Sequence, residues 1–214
     1  MIYWILLILI AALAYGLGSM SSVVIASNYI FHANLRRLGK GNVALSNFRR
    51  IYGVKGIVIL LLVEVLRDVL VILIGGWLLG IKDHAMVGRL FAAFCLIMGR
   101  LWPLFYDLRG EHGLIALIVA GFFIDVSVGI VIIIAAGAVL WFTRYTALAT
   151  VAGAVLMSVV TILTAEGQLV IPLALCITGI IVVRHIPALR RIMDGKEVKL
   201  SLQEDLSYKF DQRF

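Results

Sequence analysis

Residues 113–142 read GLIALIVAGFFIDVSVGIVIIIAAGAVLWF, a run in which Asp125 is the only ionisable side chain. No polar face can be drawn on it at the helical period, so a helix of this sequence is apolar all round and belongs in hydrocarbon. A bilayer core of roughly 30 Å takes about 20 residues of helix, and this run is too long for one untilted span. Asp125 and Ser127 interrupt it, which predicts a short helix over 113–124 and a second over 127–142, the short one being a partial span packed against its neighbours. Working outward by the same criterion gives five more segments, at 2–31, 54–79, 85–106, 146–165 and 168–184. Across all 214 residues the chain is 63% hydrophobic and 14% charged, against about 45–50% and 25% in soluble domains. The expected fold is therefore an all-α integral membrane protein of about seven transmembrane helices. Residues 1–199 form a single membrane domain, and 200–214 form a polar tail carrying Glu204, Asp205, Lys209, Asp211 and Arg213.

The start, Met1-Ile2-Tyr3-Trp4-Ile5, lacks the positively charged region of a cleavable signal and reads as a retained first helix. With the N-terminus outside, one side collects Arg36, Arg37, Lys40, Arg49, Arg50, Arg100, Arg109, Arg144, Arg184, Arg190 and Arg191. The opposite side holds little beyond Lys82 and Arg89. The arginine-rich side is the cytoplasmic one, so the C-terminus is cytoplasmic as well. Trp4, Trp102, Trp141 and Tyr145 fall near span ends, as an aromatic belt does.

Chemistry is concentrated in the first cytoplasmic loop, Gly39-Lys40-Gly41-Asn42-Val43-Ala44-Leu45-Ser46-Asn47-Phe48-Arg49-Arg50. Two glycines let backbone N–H groups converge, a helix can begin at about Asn42, and a helix N-terminus favours an anion. On that helix Asn42, Ser46 and Arg49/Arg50 share one face, while Leu45, Phe48 and Ile51/Tyr52 share the other. A cationic polar face at a membrane surface suits a phosphorylated molecule; the plain alternative is a basic loop obeying the charge rule. In the second helix, Glu64, Arg67 and Asp68 stand at i, i+3 and i+4, on one face. Ionisable groups inside a span point to a functional cavity, although Glu64 and Arg67 could equally pair and brace the bundle. Cys95 and Cys176 lie in apolar runs with no metal-ligand spacing, so buried packing is expected of both. His32, His84, His112 and His185 are scattered. No metal or cofactor is expected, and no nucleic-acid partner. Gly18-Ser19 in the first helix is suited to close helix packing, and Asp125 to a helix-connecting turn.

These motifs, in order, resemble the PlsY family of bacterial acyl-phosphate:glycerol-3-phosphate acyltransferases. The resemblance rests on Gly18-Ser19; Gly39-x-Gly41-Asn42 with Asn47 and Arg50; Gly99-x-x-x-Pro103-x-Phe105-x-x-x-Arg109-Gly110-x-x-Gly113; Thr143-Arg144-Tyr145; and Arg184-His185. It covers about residues 15–198. It implies seven helices with a site at the cytoplasmic membrane surface of the bacterial inner membrane. There, a fatty acyl group passes from acyl phosphate to glycerol 3-phosphate, giving lysophosphatidic acid without metal or acyl-CoA. It also implies phosphate binding by Gly41, Asn42, Ser46, Asn47, Arg50, Arg109, Gly110 and Gly113, and Lys40 and Arg100, cations at two motif positions, are expected to join them. Glu64 and Arg67 are then the second-motif charges, with Arg184, His185 and His112 nearest the reaction.

Departures from the family pattern cluster in the same motifs. Lys40 replaces a serine, and Ser46 a threonine. Glu64-x-x-Arg67-Asp68 replaces Asp-x-x-Lys-Gly. Arg100 replaces a histidine, Glu111-His112 replaces Gly-Lys, and Ala188 stands where an asparagine is usual. Lys40 and Arg100 add positive charge. Glu111 opposes it: a carboxylate 5–6 Å from a phosphate charge costs on the order of 3 kcal/mol at an effective dielectric near 20. His112, with an ordinary pKa of about 6.5, is charged roughly a quarter of the time at pH 7. Phosphate recognition is expected to be weakened or altered. Two other readings stay open: a non-catalytic relative that binds acyl phosphate or lipid, and a small anion transporter. Against the transporter, no inverted repeat of interrupted helices is visible.

Overall fold

A computed structural model describes residues 2–38, 45–104, 113–164, 169–197 and 199, apart from the side chains of Arg36 and Ser46. Among these residues all regular structure is helical. In chain order the helices are α1 (Ile2–Gly18), the single turn α2 (Ser22–Ile25), α3 (Leu45–Gly80), α4 (Ala85–Leu101), α5 (Leu114–Ile124), α6 (Val126–Thr143), α7 (Thr146–Thr164) and α8 (Val170–Met193). A π-helical turn, Ala26–Ile30, continues α2, and a 3-10 turn covers Leu35–Arg37. The seven long helices fall on the seven apolar segments. By length and composition α6, α7 and α8 can each cross a membrane, and the broken stretch Ile2–Ile30 makes a fourth if counted as one span. Exposed faces carry Ile130, Ile133, Ile134, Trp141 and Phe142 on α6, a surface suited to hydrocarbon and not to water.

The helix limits depart from the sequence reading for local reasons. The expected 2–31 segment stops at Gly18, where the Ser19 amide closes the last ladder bond to the Tyr15 carbonyl at 2.9 Å and the Ser19 hydroxyl donates to the same oxygen at 2.8 Å. α3 begins at Leu45, ahead of the expected 54, and absorbs a break at Gly53, whose φ of 62° and ψ of −159° suit glycine. α4 ends at Leu101, short of 106, because Trp102 precedes Pro103 and is driven out of the α region, to φ −130°, ψ 70°. α8 runs past 184 to Met193, carrying Pro187 inside it. Between α5 and α6, Asp125 is extended and its carboxylate accepts from the Ser127 amide at 2.8 Å, an N-cap. The connecting-turn reading of Asp125 is the one observed.

Two compact units are distinguished. The first joins Met1–Ser19 with Arg67–Leu200. Within it α4 touches α1, α5 and α8, while α6, α7 and α8 pack in succession. Its core is built on Leu96, Ile97, Leu117, Ile132, Met157 and Ile177. α1 and α4 approach backbone to backbone: a Cβ on Gly18 would collide with the Leu96 carbonyl, and one on Gly99 with the Tyr15 carbonyl. Gly18 thus has the close-packing role expected of it. Ser158 and Thr178 hydroxyls bond at 2.6 Å between α7 and α8. Cys95 is buried as expected, but Cys176 is exposed on α8, because a residue in an apolar run can face lipid as readily as protein.

The described residues of the second unit fall within Met20–Leu66. Its core is Val23, Ala26, Leu35, Phe48 and Leu60, with Tyr52 stacked on Phe31 at 4.0 Å between ring centroids.

Candidate functional site

In the first unit the C-terminal end of α4 gathers the ionisable residues singled out from the sequence. Arg100 is the last basic residue of that helix and is buried. Its Nη2 donates to Asp68 Oδ1 at 2.9 Å and to Oδ2 at 3.1 Å. Arg67 donates to the same Oδ1, from Nη2 at 3.1 Å and from Nε at 3.3 Å. Asp68 is wholly buried. A carboxylate is stable there only because cations surround it.

One residue further on, Arg184 Nε donates to the Leu101 carbonyl at 3.1 Å, and its guanidinium carbon lies 5.8 Å from the Trp102 ring centroid. A cation suits the carbonyl end of a helix, where the last C=O groups lack intrahelical partners. The Tyr15 hydroxyl donates to the Trp102 carbonyl at 2.7 Å, so α1 and α8 both fasten the end of α4. His185 is buried, and its Nδ1 faces the Ile181 carbonyl at 2.7 Å. A carbonyl only accepts, so Nδ1 carries a proton, and in the neutral ring Nε2 is the basic nitrogen. Gly113 opens α5 at φ 74°, ψ 10°, a left-handed conformation suited to glycine.

In the second unit, buried Asn47 donates from Nδ2 to the Leu38 carbonyl at 3.1 Å and to the Leu35 carbonyl at 3.5 Å. Its amide thereby ties α3 to the preceding turn. Arg49 and Arg50 are half-buried, Glu64 is buried, and Leu45 is exposed while Phe48, Ile51 and Tyr52 pack into the core. Leu45 therefore leaves the apolar face assigned to it, and Asn47 joins the buried side. Of the other expected site residues, Lys40, Gly41, Asn42, Arg109, Gly110 and His112 lie outside the described residues, as does the Ser46 side chain.

The sequence reading brought Arg67, Arg100, Arg184 and His185 forward, and the first unit holds them all. It missed Tyr15, whose only signal was a polar ring one turn before Gly18-Ser19. Trp102, read as part of an aromatic belt, packs with Arg184. Asp68 was noticed as an added acid, yet its partner Arg100, 32 positions away, could not be read from spacing.

Comparison with known proteins adds a second line of observation. Residues 8–195 match the family model described as glycerol-3-phosphate acyltransferase. A glycerol-3-phosphate acyltransferase of Pseudomonas aeruginosa is 32% identical over 192 residues, covering 88% of this chain and 97% of that protein. One from Francisella tularensis subsp. novicida is 31% identical over 188 residues, 87% of this chain and 89% of the other. One from Thermoanaerobacter sp. (strain X514) is 23% identical over 199 residues, 93% and 98% of the two chains. Among solved structures, the fold is similar to PlsY (YgiH), an integral membrane glycerol 3-phosphate acyltransferase. Its glycerol 3-phosphate form aligns with a TM-score of 0.71 at 21% identity, covering 91% of this chain and 96% of that one. Its lysophosphatidic acid form aligns with a TM-score of 0.72 at 21% identity, covering 95% and 98%.

Proposed function

The chain belongs to the glycerol-3-phosphate acyltransferase family, and on that premise we propose that it is a multi-pass membrane enzyme making lysophosphatidic acid from acyl phosphate and glycerol 3-phosphate. The 1-hydroxyl of glycerol 3-phosphate attacks the acyl carbonyl. An ester C–O bond forms, the bond from the carbonyl carbon to the phosphate oxygen breaks, and inorganic phosphate leaves. Because that leaving group is a good one, positioning and cations on the phosphates supply most of the catalysis. The hydroxyl proton passes to a phosphate oxygen or to His185, whose Nδ1 proton is occupied by the Ile181 carbonyl. His112 is the other candidate base.

The observation that carries this reading is the gathering of Arg67, Arg100 and Arg184 about the end of α4. Buried and half-buried guanidiniums of one sign are suited to an anionic substrate in a low-dielectric setting. Lys40, Gly41, Asn42, Ser46, Arg50, Arg109, Gly110 and Gly113 are assigned to phosphate binding, and Glu64 with Arg67 to the second-motif charges; Asn47, expected among the first group, is buried with its amide on the Leu35 and Leu38 carbonyls and is assigned to holding the loop. In this reading seven spans cross the bacterial inner membrane, with the N-terminus outside and the reaction at the cytoplasmic face. The sidedness of the arginines supports that orientation.

The deciding experiment is transfer from palmitoyl phosphate to labelled glycerol 3-phosphate by the chain purified in detergent, with palmitoyl-CoA as the control donor. Labelled lysophosphatidic acid from the phosphate donor alone is the expected product. Its absence from folded protein refutes the catalytic assignment. A second reading, a ligand-binding relative without turnover, is favoured by the Asp68 carboxylate on Arg100, and it predicts glycerol 3-phosphate binding with no product.

A further inference from the structure

Arg89 stands apart from the cations already placed. It opens the second turn of α4, about 16 Å along the helix axis from Arg100. A half-buried cation so near a helix N-terminus sits at the unfavourable end of the helix dipole, and among the described residues no carboxylate pairs with it. Asp125 is engaged by the Ser127 amide and hydroxyl, and Asp83 is exposed in the connection ahead of α4. The side chain is nonetheless held in place. A Cβ on Gly76 of α3 would lie 2.5 Å from Arg89 Cγ and 2.9 Å from its Nε, so the stem rests in a slot that exists because residue 76 has no side chain. The guanidinium carbon lies 5.8 Å from the ring centroid of Phe123, near the end of α5, within cation–π range. Nε is buried without an acceptor, a costly state for a polar atom. The terminal nitrogens, the accessible part of the side chain, have no acceptor among the described residues either. Three helices thus aim a fork of N–H donors whose acceptor must come from outside the chain.

The setting of that fork is apolar. Leu70, Leu73 and Trp77 are exposed along one face of α3, and Phe122 and Val126 are exposed on either side of the α5–α6 corner. Lys82, exposed in the α3–α4 connection, is a second cation at this end. We propose that Arg89 is a headgroup site for an anionic phospholipid, at the end of α4 opposite Arg100 and Arg184, with Gly76 and Phe123 fixing the guanidinium. The lipid phosphate accepts from the two terminal nitrogens in the bidentate manner that suits arginine, and the acyl chains cover the exposed face of α3. A soluble anion gains the first contact and not the second. Basic sites among membrane helices select anionic headgroups on the same grounds. The lipid here is a resident ligand and not a substrate, so the site stands independently of acyl transfer.

The test is thermal unfolding of the full chain in detergent, titrated with phosphatidylglycerol, phosphatidylcholine or inorganic phosphate; the rise in Tm with ligand concentration gives each apparent Kd. Wild type is expected to bind phosphatidylglycerol more tightly than phosphatidylcholine. Arg89→Gln is expected to weaken phosphatidylglycerol about tenfold, the loss of a hydrogen bond to a charged group, and to leave phosphatidylcholine unchanged. Lipid held elsewhere on the chain acts equally on both proteins, so the difference between them reports Arg89. Before lipid is added, Arg89→Gln is expected to melt no lower than wild type, because it removes a cation without a counter-charge. Should Arg89→Gln not fold, Arg89→Lys, which keeps the charge and loses the fork, is measured in its place and is expected to weaken phosphatidylglycerol at least about threefold. Equal phosphatidylglycerol affinity in wild type and variant overturns the inference, as does a wild type that does not distinguish the two lipids. An Arg89-dependent shift reproduced by inorganic phosphate overturns it as well, making the ligand a free anion. A variant whose only change is an earlier melt, with and without lipid alike, makes Arg89 a brace between helices and nothing more.

Discussion

Replacing Gly99 by alanine should force α1 and α4 apart. An added Cβ would stand 3.0 Å from the Ser19 amide nitrogen and from the Tyr15 carbonyl carbon, and nearer still to the Tyr15 oxygen, where ordinary contact begins at 3.4 Å. Every one of those atoms is backbone, so no side chain can rotate away. The helices must part by several tenths of an ångström, on the order of 1 Å at the oxygen. Overpacking of this kind costs typically 1–3 kcal/mol. The separation also strains the Tyr15 hydroxyl bond to the Trp102 carbonyl, worth about 0.5–1.5 kcal/mol. The gain in helix propensity from glycine to alanine, about 1 kcal/mol, offsets part of this. A net loss of about 1–3 kcal/mol corresponds to a Tm lower by roughly 2–12 °C for a chain of this size. The assay is thermal unfolding in detergent, with Gly16→Ala as control, since a Cβ there meets nothing within 4 Å. A Gly99→Ala protein at least as stable as Gly16→Ala refutes the backbone-contact argument.

Arg184→Lys should lower transferase activity at least tenfold, since lysine cannot both bond the Leu101 carbonyl and lie over Trp102 as the planar guanidinium does; activity within twofold of wild type contradicts the role given to that end of α4. Asn47→Leu strips the Leu38 carbonyl of its donor and should destabilise the chain by about 1–3 kcal/mol, measured as an earlier melt with little change in the KM of the folded fraction. Arg50→Ala should weaken glycerol 3-phosphate binding by about 1.5–3 kcal/mol, the range for bonds to charged groups, and Arg49→Ala by much less; equal small effects in a titration argue against a phosphate site on that turn. Asp125 has its carboxyl held below the ordinary range, chiefly by the Ser127 hydroxyl and then by the Ser127 amide. Its stabilising effect is therefore full above the unfolded pKa and disappears as pH falls through the lower folded value. The Tm gap between wild type and Asp125→Ala, small because the group is exposed, should be present at pH 7 and shrink below about pH 4.

The amino-acid sequence by itself determined the class and the partition of this chain. Helices that are apolar all round can satisfy their backbone only within themselves and shed water only into lipid, so composition and run length were enough to mark an all-helical membrane protein, in which α6, α7 and α8, and Ile2–Ile30 if counted as one span, are long and apolar enough to cross. The α5–α6 break was legible because a single aspartate in an apolar run caps a helix better than it sits inside one. Local chemistry accounts for the helix end before Pro103 in the same way. Which charged residues face one another was decided only in three dimensions. Asp68 and Arg100 belong to different helices, and a buried carboxylate selects its cations by packing, at distances that sequence separation does not encode. The same holds for Tyr15 on the Trp102 carbonyl and Arg184 on the Leu101 carbonyl, bonds between helices that connecting loops leave free to choose their neighbours. Asn47 shows the converse. Its residue type suited a phosphate site, but burial against the Leu35–Leu38 turn turned its amide inward, because a buried backbone carbonyl without a donor is more costly than a surface amide left to water.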